Sequence, residues 1–195
     1  MSENKGFIRS LNLPNRLTLL RVVLVPVYLV LAKAGCTRPD ARGGALRWLA
    51  LLVFALASLT DLFDGKIARK YNLVTNFGKF MDPIADKILT HTAFILFTSM
   101  GMLSAFSCII FVAREFVVAA LREIAADQGT VIAAGMSGKV KTVLQMALII
   151  LLTLPLEWTP LRVLTRAVEI AAVVMTLYSM AEYVWKNRGV LGGDR

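Results

Sequence analysis

Long apolar runs broken by short polar clusters leave this chain few ways to fold. Six can be marked off, at residues 17–34, 45–63, 83–100, 103–126, 139–155 and 163–185. A helix needs about 20 residues to cross the hydrocarbon of a bilayer, and most of the runs approach that length. The fifth is short and must begin near the surface. Hydrophobic residues make up 57% of the chain, against roughly 45–50% in soluble domains, and the excess sits in the runs. The expected fold class is all-α: a polytopic membrane protein with six transmembrane helices. Residues 1–195 read as one domain without internal repeats.

Polar clusters at 35–44, 64–82, 127–138 and 156–162 separate most of the spans, and a tight turn near Gly101 joins the third to the fourth. Residues 1–16 form a juxtamembrane segment. Within it Phe7, Ile8, Leu11 and Leu13 alternate with Lys5 and Arg9, which suits a short helix lying in the interface; an untethered tail fits almost as well. Ala32-Lys33-Ala34-Gly35-Cys36 superficially resembles a cleavage site, but Lys33 takes the place of an aliphatic residue and the run already contains Arg21. The segment therefore reads as a retained first span. Cys36 falls in a loop and Cys108 in an apolar run, so no disulfide is expected between them.

The formal net charge is +9. Nucleic-acid binding is excluded, because the basic residues form neither a basic face nor a reading motif. They sit at the ends of apolar runs. One side collects Lys5, Arg9 and Arg16, then Lys66, Arg69, Lys70 and Lys79, then Arg122, Lys139 and Lys141, then Lys186, Arg188 and Arg195. This bias puts both termini and the 64–82 segment in the cytoplasm. The first outer loop is an exception, with Arg38, Arg42 and Arg47. The same positive balance also suits an acidic, phosphate-bearing substrate.

The stretch that carries chemistry is Asp61-Leu-Phe-Asp64-Gly65-Lys-Ile-Ala68-Arg69, followed by Gly78-Lys-Phe-Met-Asp82-Pro-Ile-Ala-Asp86. Asp61 and Asp64 end the second span at i,i+3, and Ala68 continues their face; Asp82 and Asp86 begin the third at i,i+4. Two antiparallel helices with a short connection would bring the stripes together. Four carboxylates at a membrane boundary repel one another. Lys66, Arg69 and Lys87 offset part of that charge, and hard divalent cations held by oxygen ligands offset it more fully. Blander readings exist residue by residue. Asp82 before Pro83 resembles an N-cap with proline at the first helical position, Asp61 and Asp64 resemble interface charges, and Gly65 and Gly78 resemble helix-end residues. None of these explains why the four acids form two stripes.

The run matches D-x2-D-G-x2-A-R-x8-G-x3-D-x3-D at every fixed position, and in this the chain resembles the CDP-alcohol phosphatidyltransferase family. The family's six-helix architecture agrees with the six spans. The resemblance implies a homodimeric bundle in the cell membrane, its site open to the cytoplasm and the lipid. It also implies two divalent cations, Mg2+ or Mn2+, per site. Asp61, Asp64 and Asp82 would be metal ligands, and Asp86 a ligand, the general base, or both, so that Asp82 and Asp86 would stand closest to catalysis. Asp61, Gly65, Ala68, Arg69 and Gly78 would contact CDP-diacylglycerol.

A narrower resemblance, to the branch that uses sn-glycerol 3-phosphate, rests on Leu13-Pro14-Asn15-Arg16-Leu17-Thr18-Leu-Leu-Arg21, Arg114-Glu115, Leu121-Arg122 and Gly138-Lys139-Val140-Lys141-Thr142. It implies that Asn15, Thr18 and Arg21 help hold the nucleotide end. Arg114, near the middle of the fourth span, faces the bundle interior or a wet cavity. With Arg122, Lys139 and Lys141 it would form a basic pocket for the acceptor's phosphate. Pairing of Arg114 with Glu115, and plain positive-inside anchoring by Lys139 and Lys141, are the structural alternatives. His91, off the acidic stripe, is expected to be a buried polar residue. A sibling enzyme acting on serine, inositol phosphate or phosphatidylglycerol shares the acidic motif. A metal- or proton-coupled transporter would need acids near mid-membrane and broken helices.

Overall fold

The computed structural model describes the backbone of residues 13–70, 76–133, 135–156 and 158–191. Its regular structure is helical throughout, in the order α1 (Leu13–Cys36), α2 (Ala41–Lys70), α3 (Asn76–Ser99), α4 (Ala105–Asp127), α5 (Met136–Thr153), α6 (Thr159–Lys186) and the short α7 (Arg188–Leu191). The expected interfacial helix lies outside the described residues. α1 runs unbroken through Pro26 and through the Ala32–Cys36 stretch. Proline is tolerated in apolar spans where neighbours re-satisfy the freed backbone groups.

Four segments among the described residues are long and apolar enough to cross a membrane: Leu17–Cys36, Ala41–Thr60, Met136–Thr153 and Thr159–Lys186. Burial patterns agree with a lipid surrounding. On α1 the exposed stripe is Leu20, Val23, Val27 and Val30, while Thr18 and Arg21 are buried beside Val25, Tyr28 and Ala32. α6 exposes Val163, Ile170, Val174 and Leu177 and buries Glu169, Thr176 and Ser179. Polar groups inside and apolar groups outside invert the arrangement of a water-soluble helix. α4 follows the same rule, with Phe106, Ile109 and Phe116 exposed and Arg114 buried, although Arg114, Glu115 and Arg122 interrupt its apolar stretch.

Two boundaries differ from expectation. The second apolar run ends at residue 63, but α2 continues to Lys70; the third begins at 83, but α3 starts at Asn76. Most of the 64–82 cluster is therefore helix extending beyond the apolar segment. Asp82 is not an N-cap, because helical backbone precedes it by six residues. Gly65 is likewise interior to α2. Apolarity marks where a helix meets lipid; the helix itself ends where its hydrogen-bond ladder stops.

The chain divides into two compact units, one reaching Leu96 and including Thr153–Pro155, the other comprising Phe97–Leu152 and the residues from Leu156 onward. In the first, α1 and α2 form a hairpin. The Asp40 carboxylate accepts the Gly43 N–H at 2.9 Å, capping α2. A Cβ at Gly43 would come within 2.1 Å of the Arg38 carbonyl, and one at Gly35 within 2.7 Å of the Arg47 side chain, so only glycine allows this approach. The Tyr28 hydroxyl and Thr153 Oγ1 share a hydrogen bond of 3.0 Å. Arg47 donates from Nε to the Thr153 carbonyl at 2.9 Å and from its terminal nitrogen to the Leu154 carbonyl. Arg47, assigned to a loop from sequence but lying within α2, thus satisfies carbonyls at a helix C-terminus, where cations are favoured.

In the second unit, Val118 and Leu121 of α4 cluster with Tyr183 of α6, flanked by Ile132 and Val184. Gln145 of α5 donates to Thr176 of α6 at 3.3 Å. The buried Glu169 carboxylate accepts the Ser104 N–H at 3.2 Å and the Ser107 hydroxyl at 2.7 Å through one oxygen, and Arg166 at 2.7 Å through the other. It thereby occupies the N-terminus of α4. The turn expected near Gly101 is present. Gly101 has φ 70°, with Met102 N–H to the Phe97 carbonyl at 2.9 Å and Gly101 N–H to the Thr98 carbonyl at 3.0 Å, a Schellman closure. The same pattern closes α4 at Gly129.

Candidate active site

Asp61 and Asp64 lie on α2, and Asp82 and Asp86 on α3. Both helices are continuous through the acids, so the i,i+3 and i,i+4 spacings place each pair on one stripe. The connection, 71–75, lies outside the described residues, as do the side chains of all four acids and of Asn15, Gly65, Ala68, Arg69 and Gly78. The helix bounds fix a register. Asp64 stands six residues before the end of α2 and Asp82 six after the start of α3; Asp61 and Asp86 stand nine before and ten after. At 1.5 Å per residue, the inner pair lies about 9 Å along each axis from the connection and the outer pair roughly 14–15 Å. The backbone positions of the acids are thus matched in distance from the connection on consecutive helices. Glycine inside a helix costs roughly 1 kcal/mol relative to alanine, so Gly65 is there for a reason other than helix stability. Among the described residues no cluster of three or more His, Cys, Asp or Glu side chains occurs.

Thr18 and Arg21 of α1 are buried at 0% and 1% exposure, one turn apart on the inner stripe. His91 of α3 is half-buried rather than buried. Cys36 and Cys108 are both free thiols, as expected.

The basic set belongs to the second unit, and it divides. Arg114 and Lys141 meet on Glu115: Arg114 Nη1 lies 3.0 Å from Glu115 Oε1, and Lys141 Nζ pairs with the same oxygen. Gly138 adjoins them, since a Cβ there would fall 3.3 Å from Arg114 Nη2. Arg122 is exposed and differently held; its Nε donates to the Tyr183 hydroxyl at 2.9 Å, with the guanidinium 5.6 Å from that ring's centroid. Lys139 is exposed. The Arg114–Glu115 pairing considered from sequence is present, while the link to Lys141 was not foreseen. Nor was the role of Tyr183. Adjacent opposite charges in an apolar helix were the signal for the first; nothing in the sequence marked Tyr183.

Comparison with known proteins bears on what this arrangement does. A family model described as CDP-alcohol phosphatidyltransferase matches residues 11–178. The CDP-diacylglycerol–glycerol-3-phosphate 3-phosphatidyltransferase of Bacillus subtilis is 39% identical over 184 residues, covering 90% of this chain and 95% of that protein. A protein of Mycobacterium tuberculosis described as a probable phosphatidylglycerophosphate synthase is 40% identical over 190 residues, covering 97% of this chain and 88% of its own length. A Salmonella paratyphi A protein with the same description as the Bacillus one is 38% identical over 185 residues, covering 92% of this chain and 97% of that protein.

Proposed function

Because the chain belongs to the CDP-alcohol phosphatidyltransferase family, we propose that it transfers the phosphatidyl group of CDP-diacylglycerol to sn-glycerol 3-phosphate, giving phosphatidylglycerol phosphate and CMP. The observation that carries this reading is the complete acidic motif on two consecutive helices, in matched register about their connection.

Asp61, Asp64, Asp82 and Asp86 would hold two hard divalent cations, Mg2+ or Mn2+. The donor set fits them: four carboxylates at helical spacing supply oxygen ligands and need positive charge between them. Bound there, the cations would neutralise the diphosphate and stabilise the attacking and leaving oxygens. Asp86, in the outer pair, takes the proton from the acceptor hydroxyl. That oxygen then bonds to the phosphorus bearing diacylglycerol as CMP leaves. Gly65 and Gly78 let the nucleotide approach backbone closely, Ala68 leaves room beside it, and Arg69, Asn15, Thr18 and Arg21 hold its polar groups. Arg114, Arg122, Lys139 and Lys141 bind the acceptor's phosphate.

The same reading takes residues 1–195 as one domain with six spans, α3 and α4 crossing beside the four apolar helices. The inward Arg114 and outward Phe106, Ile109 and Phe116 support α4 in that role. Both termini face the cytoplasm of the cell membrane, and the working unit is a homodimer.

The test is CMP release by purified protein given CDP-diacylglycerol, a divalent cation and a panel of alcohols. Release with glycerol 3-phosphate, abolished by chelator, is expected. Release with serine or inositol phosphate alone would overturn the acceptor and keep the chemistry. No release with any alcohol, together with metal uptake into sealed vesicles, would replace the enzyme with a transporter.

A further inference from the structure

We propose that Glu115 is a positioning residue for the acceptor, a fixed anion that holds Arg114 and Lys141 ready for the incoming phosphate. The proposal rests on the assignment of those two cations to the acceptor site.

The three side chains are nearly closed off from solvent, at 10% exposure for Arg114, 14% for Glu115 and 5% for Lys141. Two cations so placed repel each other and are poorly solvated, so between turnovers they need a counter-ion. Glu115 Oε1 serves both at once. It ties α4 to α5 at the point where the Gly138–Thr142 stretch begins α5.

A guanidinium has five N–H donors in a rigid fork. Glu115 takes Arg114 through Nη1. Arg114 Nε is buried and has no hydrogen-bond partner among the described residues. Nε and Nη2 form the edge of the fork that accepts two oxygens of one phosphate side by side. Gly138 lies against that edge, and a Cβ there would stand 3.3 Å from Nη2. A purely structural ion pair has no use for a buried, unspent donor beside a glycine. A binding edge has use for both. Glu115 thus engages one nitrogen, sets the plane of the guanidinium and leaves the Nε–Nη2 edge for a tetrahedral anion.

The experiment is steady-state kinetics on purified full-length enzyme in detergent, with each substrate varied in turn. Glu115→Gln keeps the volume and removes the charge. It should raise the Michaelis constant for glycerol 3-phosphate about tenfold and leave that for CDP-diacylglycerol within about twofold. Because Glu115 acts through its partners, Glu115→Gln combined with Lys141→Gln should be little worse than Lys141→Gln alone. Glu115→Asp, which retains the charge at shorter reach, should fall between wild type and Glu115→Gln. An unchanged acceptor constant in Glu115→Gln, with a raised one in Arg114→Ala and Lys141→Gln, overturns the proposal and leaves the acceptor site standing. If neither Arg114→Ala nor Lys141→Gln moves that constant, the acceptor assignment itself fails. A Glu115→Gln enzyme that no longer folds makes the residue structural, unless Glu115→Asp folds and shows the selective rise.

Discussion

Replacing Glu169 by alanine should cost the folded protein about 2–4 kcal/mol, and replacing it by glutamine less than about 1 kcal/mol. One carboxylate oxygen accepts both the Ser104 N–H and the Ser107 hydroxyl, while the other meets Arg166. Ser107 is 6% exposed, and Ser104 is the residue that caps α4, with no side-chain cap bond of its own. Alanine leaves the buried Ser107 hydroxyl without a partner, at roughly 1–3 kcal/mol, and removes the cap at the exposed Ser104 N–H, worth about 1 kcal/mol. Glutamine keeps a carbonyl oxygen for both and gives up only the pairing with Arg166. That arginine is 61% exposed near the N-terminal end of α6, where its long stem can carry the charge to headgroup water, which holds the pair to roughly 0–1 kcal/mol. Thermal unfolding of the detergent-purified protein, followed by circular dichroism, reads the difference. For a chain this long each kcal/mol moves Tm by roughly 2–4 °C. The alanine variant should therefore unfold roughly 4–16 °C early, and the Glu169→Gln and Arg166→Ala variants within about 4 °C of wild type. Equal losses in the alanine and glutamine variants would show that the charge matters rather than the two accepted hydrogen bonds. A loss below about 3 °C in the alanine variant would refute the capping role outright.

Asp64→Asn and Asp82→Asn, the inner pair of the register, should each remove most turnover while Tm stays near wild type, and chelator should silence the wild type until a divalent cation is restored; full activity in either variant would sink the metal assignment. Asp86→Asn should lower kcat and spare CDP-diacylglycerol binding, measured by CDP-dependent thermal stabilisation, and loss of that stabilisation would make Asp86 a metal ligand first. Topology is checked by impermeant reagents on intact cells: Lys70 should react only after the membrane is opened and Cys36 before it, the reverse order refuting the assignment.

The helices were legible because the apolar runs coincide with them, four among the described residues being long and apolar enough to cross a membrane, and the Gly101 turn was legible because a tight reversal favours a residue at positive φ. The acidic motif was legible through its spacing, which survives whichever residue begins the helix. Helix ends were not. α2 and α3 run seven residues further than their apolar runs on the side that carries the motif, since backbone hydrogen bonds continue where hydropathy has stopped. The basic set looked uniform in sequence, but Lys141 is buried against Glu115 while Arg122 stacks on Tyr183. Which anion or ring a long cation meets depends on a partner dozens of residues away. Arg47 was the odd charge of an outer loop until its carbonyl partners at 153 and 154 were seen.

On the proposed reading of α4 as a span, it reaches the membrane during synthesis before α5 has been made. Of the charges that meet Arg114 in the folded cluster, Glu115 is then present, while Lys141 follows 26 residues after Glu115. A lone arginine at mid-span costs about 2.5–3.5 kcal/mol on insertion scales, and an acid at its side softens that without removing it. The outward Phe106, Ile109 and Phe116 favour the bilayer meanwhile, and Lys141 joins Arg114 on Glu115 only once α5 has followed. The three-charge cluster is therefore assembled only after both helices have been made.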